Sequence, residues 1–158
     1  MGDTKIQTIQ GIYEAFGRGD VDAILDNVTD DVDWAVEPEG SAPWNWVRRG
    51  KGEVANFFKA IGENVEVTEF TPLAFASNET DVMVVIRYGV RVPATEKSGA
   101  MDLHHWWRFR DDKIYFVRGT EDTVLTTNLL SGGLTVEHCA VIGTDCAMTA
   151  QPGARAKR

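Results

Sequence analysis

The stretch His104-His105-Trp106-Trp107-Arg108-Phe109-Arg110-Asp111-Asp112-Lys113-Ile114 reads as a strand, a tight turn and the start of a second strand. Alternate residues of a strand share a face, so Leu103, His105, Trp107 and Phe109 stand in one row. An imidazole set among large apolar side chains either lines a cavity or is a satisfied core histidine. His104 points the other way and reads as a surface or dimer-face residue.

The β pattern extends outward from this stretch. Residues 65–75 form one strand, with Pro72 marking a bend or an edge position. Residues 82–93 form another, with Val84, Ile86, Tyr88 and Val90 on one face and Met83, Val85, Arg87 and Arg91 on the other. A turn around Lys97-Ser98-Gly99 leads to a strand over 101–110, and Asp111-Asp112 turns into a last one over 113–121. Asp122 caps a short helix over 124–130. Towards the N-terminus, Ile6, Ile9, Tyr13 and Phe16 recur at helical spacing over residues 4–17. Asp20 caps a second helix over 21–28, and a short strand covers 32–36. A Pro- and Gly-rich loop, Glu37-Pro38-Glu39-Gly40-Ser41-Ala42-Pro43, then carries Trp44 and Trp46. A third helix over 53–62 presents Val54, Phe57, Phe58 and Ile61. Three helices followed by an antiparallel meander predict an α+β domain with helices packed on one sheet face. Beyond residue 130 the periodicity fades. The reading is one domain over 1–130 and an extension over 131–158, in which 134–142 form a possible further strand and 151–158 a tail.

The chain has 158 residues, 43% of them hydrophobic, enough for one domain with a proper core. A net charge of −8 and a pI near 4.8 argue against nucleic acid and anionic membrane as partners, since both require a basic face. No apolar run approaches the ~20 residues of a membrane span, and the first residues lack the apolar region of a secretory signal. A cytoplasmic location is the expectation. Cys139 and Cys146 are spaced neither as a redox motif nor as a zinc knuckle and read as free thiols. His104, His105 and His138 lack metal-ligand spacing, and no Gly-rich phosphate loop follows a strand. No metal and no cofactor are expected.

Several local motifs occur in a telling order: Tyr13-x-x-Phe16 before Gly19-Asp20; Asp30-Asp31-Val32-x-Trp34; Arg49-Gly50-x-x-x-Val54-x-x-Phe57-Phe58; His105-x-x-x-Phe109-Arg110-Asp111-x-Lys113-Ile114; and Asp122-Thr123. In this order the chain resembles the nuclear transport factor 2-like superfamily, in its SnoaL-like and ketosteroid isomerase-like branch, over about residues 4–130. The resemblance implies a cone: a curved antiparallel sheet closed by the N-terminal helices around a central apolar pocket, with homodimers formed through the outer sheet face. Such a fold hosts many activities, so the site must argue for the function.

Within that resemblance, His105 holds the strand position from which isomerase-like members donate to a substrate oxyanion, and where SnoaL-like members often carry histidine. A neutral imidazole in an apolar cavity serves as a hydrogen-bond donor or general acid. Glu37 holds the place of the isomerase general base, in an acid-Pro segment followed by Gly-Ser and Pro; it also reads as a solvated loop acid. Asp122 matches an acid that SnoaL-like cyclases hold at the end of this strand, and is equally a helix N-cap. Glu121 lies on the opposite strand face, so at most one of these two acids enters the cavity. Counting back from Gly19-Asp20, the tyrosine of the isomerase branch falls on Ile12, about 100° of helix away from Tyr13; Tyr13 is then a pocket wall or core residue. Trp34, Trp46, Phe57, Tyr88 and Trp107 are the remaining expected ligand-facing rings. Arg87, Arg91, Arg108 and Arg110 fall on the outer face, either solvated or paired with acids across a dimer. The expected function is cofactor-free acid–base chemistry of isomerase, cyclase or dehydratase type on a small apolar carbonyl compound. The rival is a non-catalytic ligand-binding or interaction module. A carboxylate within reach of His105 across a cavity separates the two.

Overall fold

The computed structural model describes residues 3–132. Helix α1 (Thr4–Arg18) starts where the Asp3 carboxylate accepts from the Lys5 and Ile6 amides and ends at Gly19. A short α2 (Val21–Leu25), capped by Asp20, leads into β1 (Val28–Val36). Then come β2 (Arg48–Arg49), α3 (Lys51–Asn64), β3 (Glu66–Ser77), β4 (Asp81–Val92), β5 (Lys97–Arg110), β6 (Lys113–Thr120) and α4 (Thr123–Leu130). The fold is α+β, as the hydrophobic periodicity predicts.

The strands form one six-stranded sheet in the order β2-β1-β6-β5-β4-β3. The last four strands make the expected antiparallel meander. Two features go beyond it. β1 lies against β6 and runs parallel to it, and the two-residue β2 extends the sheet where the sequence suggests only loop. α2 stops at Leu25 because the chain turns into β1 two residues on, with the Ile114 amide donating to the Asn27 carbonyl. β5 begins earlier than its apolar pattern: residues 93–96 make the turn, with Glu96 in the left-handed region, and Gly99 already pairs with Val90. At Asp111 and Asp112 both φ angles are positive, +50° and +63°, the twist that a two-residue hairpin requires.

Register shifts interrupt the β1–β6, β3–β4 and β5–β6 pairings. Such bulges bend a strand and increase its twist. One falls at Pro72, on the edge strand, where a missing amide disrupts least. α1 packs Ile9, Ile12 and Tyr13, and α3 packs Val54 and Phe57, over the concave face formed by Val84, Ile86, Leu103, Trp107 and Val117. On the outer face Arg87, Arg91, Arg108 and Arg110 pair within the chain with Asp102, Glu66, Asp81 and Asp31. These exposed pairs each contribute little, and none of the four arginines needs an acid from a second copy. Among the described residues no helix is long and apolar enough to cross a membrane. The expected strand over 134–142, the tail, His138 and both cysteines lie outside the described residues.

Candidate functional site

His105 projects from β5 into an apolar cavity of about 70 Å³ lying between the sheet, α1 and α3. Its pairing partner on β6 is Gly119. A Cβ at that position would stand 2.9 Å from Val36 Cγ2 and 3.3 Å from His105 Cδ2, so a side chain there would push Val36 aside and crowd the imidazole. Tyr13 Oη lies 2.8 Å from His105 Nδ1, and Trp107 Nε1 donates to the same phenol oxygen at 3.2 Å. Burial, with a smaller contribution from neighbouring His104, pulls the imidazole pKa down to about 4. The ring is neutral at physiological pH.

That shift makes stability depend on pH. In the unfolded chain the ring takes up a proton below about pH 6.5; in the folded chain it resists until about pH 4. The unfolded state therefore binds more protons in this window, and stability rises with pH. The contribution is complete above about pH 6.5 and is lost on acidification towards pH 4; it amounts to about 3 kcal/mol. Urea denaturation at pH 7 and pH 4.5 checks this: wild type loses stability across the interval more steeply than His105→Phe. Equal slopes for the two proteins would refute it.

The cavity also contains a carboxyl group. Glu121 follows β6 two residues after Gly119, on the same face, and lines the cavity with His105. Diagonal neighbours of this kind stand roughly 7–8 Å apart at the backbone. The Trp44 indole donates to both Glu121 carboxyl oxygens at 3.1 and 3.3 Å, and Asn45 Nδ2 donates to one of them at 2.9 Å. Asn45 is itself locked: its Oδ1 accepts from the Ala42 amide, and its Nδ2 also donates to the Val36 carbonyl. A Cβ on Gly40 would lie 2.3 Å from Asn45 Oδ1, so the glycine makes room for this clamp. Burial raises the Glu121 pKa; the donors from Asn45 and Trp44 oppose that rise and the nearby Glu37 charge adds to it.

The other two acids sit elsewhere. Glu37, with a left-handed φ of +41°, accepts from the Glu121 amide at 3.2 Å and lines a surface groove with Ser41, Thr123 and Thr127. It supports the backbone beneath Glu121 from outside the cavity. Asp122 caps α4, accepting from the Leu125 amide. The structure thus brings His105 and Glu121 together and leaves Glu37 and Asp122 out of the cavity.

Of the expected rings, Tyr13, Trp34, Phe57, Tyr88 and Trp107 line the cavity. Trp46 does not: it is 48% exposed and stacks on the Arg48 guanidinium at 4.0 Å. Its neighbour Trp44 faces inward instead. Counting along α1 sets Tyr13 aside from the strand histidine, yet the two are hydrogen-bonded. The inner stripe of the helix is wide enough for Ile12 and Tyr13 both to face the sheet, and the phenol is long enough to reach β5. The Trp34 indole N–H is buried without a hydrogen-bond partner among the described residues. Trp34 stands edge-on to Trp107, with centroids 5.5 Å apart.

The free space holds only a few water molecules. Phe16, Phe58, Ile61 and Phe70 line both this space and an open groove of about 950 Å³ between α1, α3 and β3. Phe16 packs against Phe58 and Phe70 with centroids 5.9 and 5.3 Å apart. These side chains stand between the cavity and the groove. No three His, Cys, Asp or Glu side chains converge as a metal site among the described residues.

A cone-shaped sheet with helices over an apolar interior defines a fold class, and the comparisons agree with it. The SnoaL-like domain family matches residues 9–117. The chain belongs to this SnoaL-like family. Its structure is similar to that of a nuclear transport factor 2-like protein of unknown function from Burkholderia pseudomallei, at a TM-score of 0.76 and 24% identity, covering 82% of this chain and 99% of that one. It is similar to TerC, co-crystallised with polyporic acid, at 0.73 and 22% identity, covering 81% and 98%. It is also similar to a polyketide cyclase candidate from Xanthomonas campestris pv. campestris, at 0.70 and 19% identity, covering 80% and 96%. These likenesses establish the fold. None of the curated proteins matches the chain.

Proposed function

We propose that the cone binds a small, largely apolar carbonyl compound and rearranges it by cofactor-free acid–base chemistry, as an isomerase, cyclase or dehydratase. One observation carries this reading: a neutral imidazole and a carboxyl of raised pKa share one apolar cavity. A carboxylate of raised pKa is a stronger base, and a neutral imidazole is a hydrogen-bond donor, so the two suit complementary roles. Glu121 takes a proton from the carbon next to the carbonyl. The electron pair moves onto the carbonyl oxygen, which accepts a hydrogen bond from His105. Return of the proton from Glu121 to another atom of the substrate completes an isomerisation; in cyclisation the enolate carbon attacks a second carbonyl and the new alkoxide takes that proton, and in dehydration the hydroxyl takes it and leaves as water. Exclusion of water by the surrounding rings strengthens both interactions.

The small free volume favours a second reading, a binding module without chemistry, and one experiment separates the two. Trp34, Trp44 and Trp107 line the cavity, so quenching of tryptophan fluorescence reports occupancy. Planar aromatic ketones are the first probes, with polyporic acid added because the neighbour TerC was co-crystallised with it. Ketones that quench are then incubated in deuterium oxide, and exchange at the carbon next to the carbonyl is followed by proton NMR. The enzymatic reading expects exchange at least about 100-fold above buffer. Quenching with exchange at the buffer rate identifies a binding module.

A further inference from the structure

The hydrogen-bond chain behind His105 has a direction. An indole N–H only donates, so Trp107 Nε1 gives its hydrogen to Tyr13 Oη. The phenol oxygen is then an acceptor there, and its own hydrogen is left to donate. The acceptor within reach, 2.8 Å away, is His105 Nδ1. If Nδ1 carried a proton instead, two donors would meet at one phenol oxygen and the phenol hydrogen would have no acceptor among the described residues. A buried donor left unpaired loses its hydrogen bond to water without replacing it, which is unfavourable. With Nδ1 accepting, the indole and phenol hydrogens are both used, and the one left over, on the imidazole, falls on the ring that lines the cavity, where a ligand or water can take it. In the neutral ring the single proton then sits on Nε2, which has no protein partner among the described residues, on an imidazole that lines the cavity.

We propose that Tyr13 is a positioning residue: held by the Trp107 indole, its hydroxyl fixes His105 in the tautomer protonated at Nε2, so that the cavity meets a neutral donor and not a base. This deepens the reading in which His105 faces a substrate carbonyl. It also restricts the ligand: a neutral donor in an apolar cavity that also holds the Glu121 carboxyl suits an uncharged acceptor. Burial raises the Tyr13 pKa, so the phenol keeps the proton that it donates. The groups against the ring are Tyr13 and Trp107, with His104 along its own strand; Glu121 on β6 lines the same cavity. Of these, only the phenol touches Nδ1.

The test reads the ring nitrogens directly. Full-length protein labelled with nitrogen-15 at histidine is examined by two-bond proton–nitrogen correlation, with the His105 signals identified by their loss in His105→Gln. In wild type at pH 7 the proposal expects a pyridine-type Nδ1 and a pyrrole-type, protonated Nε2. In Tyr13→Phe it expects the two nitrogen shifts to move towards each other and the titration midpoint to rise by about one pH unit or more, a tenfold change in proton affinity. Trp107→Phe, which keeps an apolar ring but removes the donor, should also lose the single tautomer; it serves in place of Tyr13→Phe should that variant fail to fold. Protonated Nδ1 in wild type overturns the proposal, as does a spectrum unchanged by either substitution. No substrate is needed, so the spectra stand or fall separately from ketone exchange. A fixed Nε2–H without exchange would overturn the enzymatic reading and leave the role of Tyr13 intact. For an exchanging ketone, Tyr13→Phe should lower kcat with little change in KM, because the donor is mispositioned and the pocket wall is kept.

Discussion

Glu121→Gln is expected to reduce ketone proton exchange by about 10²–10⁴-fold, the usual contribution of a general base, while leaving the protein at least as stable as wild type. The two effects have one origin. The carboxyl is enclosed by Trp44, Asn45 and the cavity rings, and Glu37 adds a like charge nearby. Each of these but the donors disfavours ionisation. A glutamine keeps an oxygen for the Trp44 and Asn45 donors without a charge to bury. The sign with pH follows. Because folding raises the Glu121 pKa, the folded state holds its proton over a range where the unfolded state has lost it, so wild type loses stability as pH rises through that range. The advantage of Glu121→Gln should therefore grow from acid towards neutral pH. Thermal melts of both proteins at several pH values, alongside exchange rates, check the pair of effects. A variant that is less stable at neutral pH than wild type would show the carboxylate to be structural.

Trp107→Ala should cost about 3–5 kcal/mol, the range for removing a large buried ring. Trp107 is 2% exposed and stands at the centre of the aromatic cluster, with Trp34, Tyr13 and His105 at centroid distances of 5.5, 6.0 and 5.8 Å. Its removal opens a void in the cone and takes away the donor to Tyr13. Against a total stability of about 5–15 kcal/mol for an ordinary domain, that leaves little margin. Urea denaturation gives the loss. Indole, which matches the deleted group, should raise the melting temperature of the variant and have little effect on wild type. Loss below about 1 kcal/mol, or equal response of both proteins to indole, would mean that the cluster does not depend on this ring.

The legible parts of the site were those set by strict alternation in one long strand. Leu103, His105, Trp107 and Phe109 share a face in any register of β5, and the structure keeps them together. β6 was less legible because its alternation breaks. Arg108 pairs with Phe116 and Phe109 with Ile114, so Tyr115 is an extra residue on β6. Ile114 faces inward before the bulge and Val117 and Gly119 after it. A two-residue period counted along this strand cannot say whether Glu121 or Asp122 turns inward. Asp122 also has the stronger local signal, since an aspartate ahead of a helical run is a cap. Trp44 and Trp46 posed the same difficulty in a loop, where no period exists; Arg48 draws Trp46 outward, and Glu121 accepts from Trp44. Gly119 is a signal that reads only in retrospect, as the residue without a side chain beneath the imidazole.

Residue pattern by itself determined the α+β class, the order of the helices and of every strand but β2, the meander and the inward row on β5. These follow from periodicity and caps, which act between residues close in the chain. Tertiary structure alone decided that β1 runs parallel against β6, that Glu121 and not Glu37 or Asp122 shares the cavity with His105, and that the Tyr13 phenol reaches Nδ1. Each depends on a bulge, a loop clamp or a helix seated on a curved sheet, where contacts join residues up to 94 positions apart. Spacing along the chain carries no information about distances of that kind.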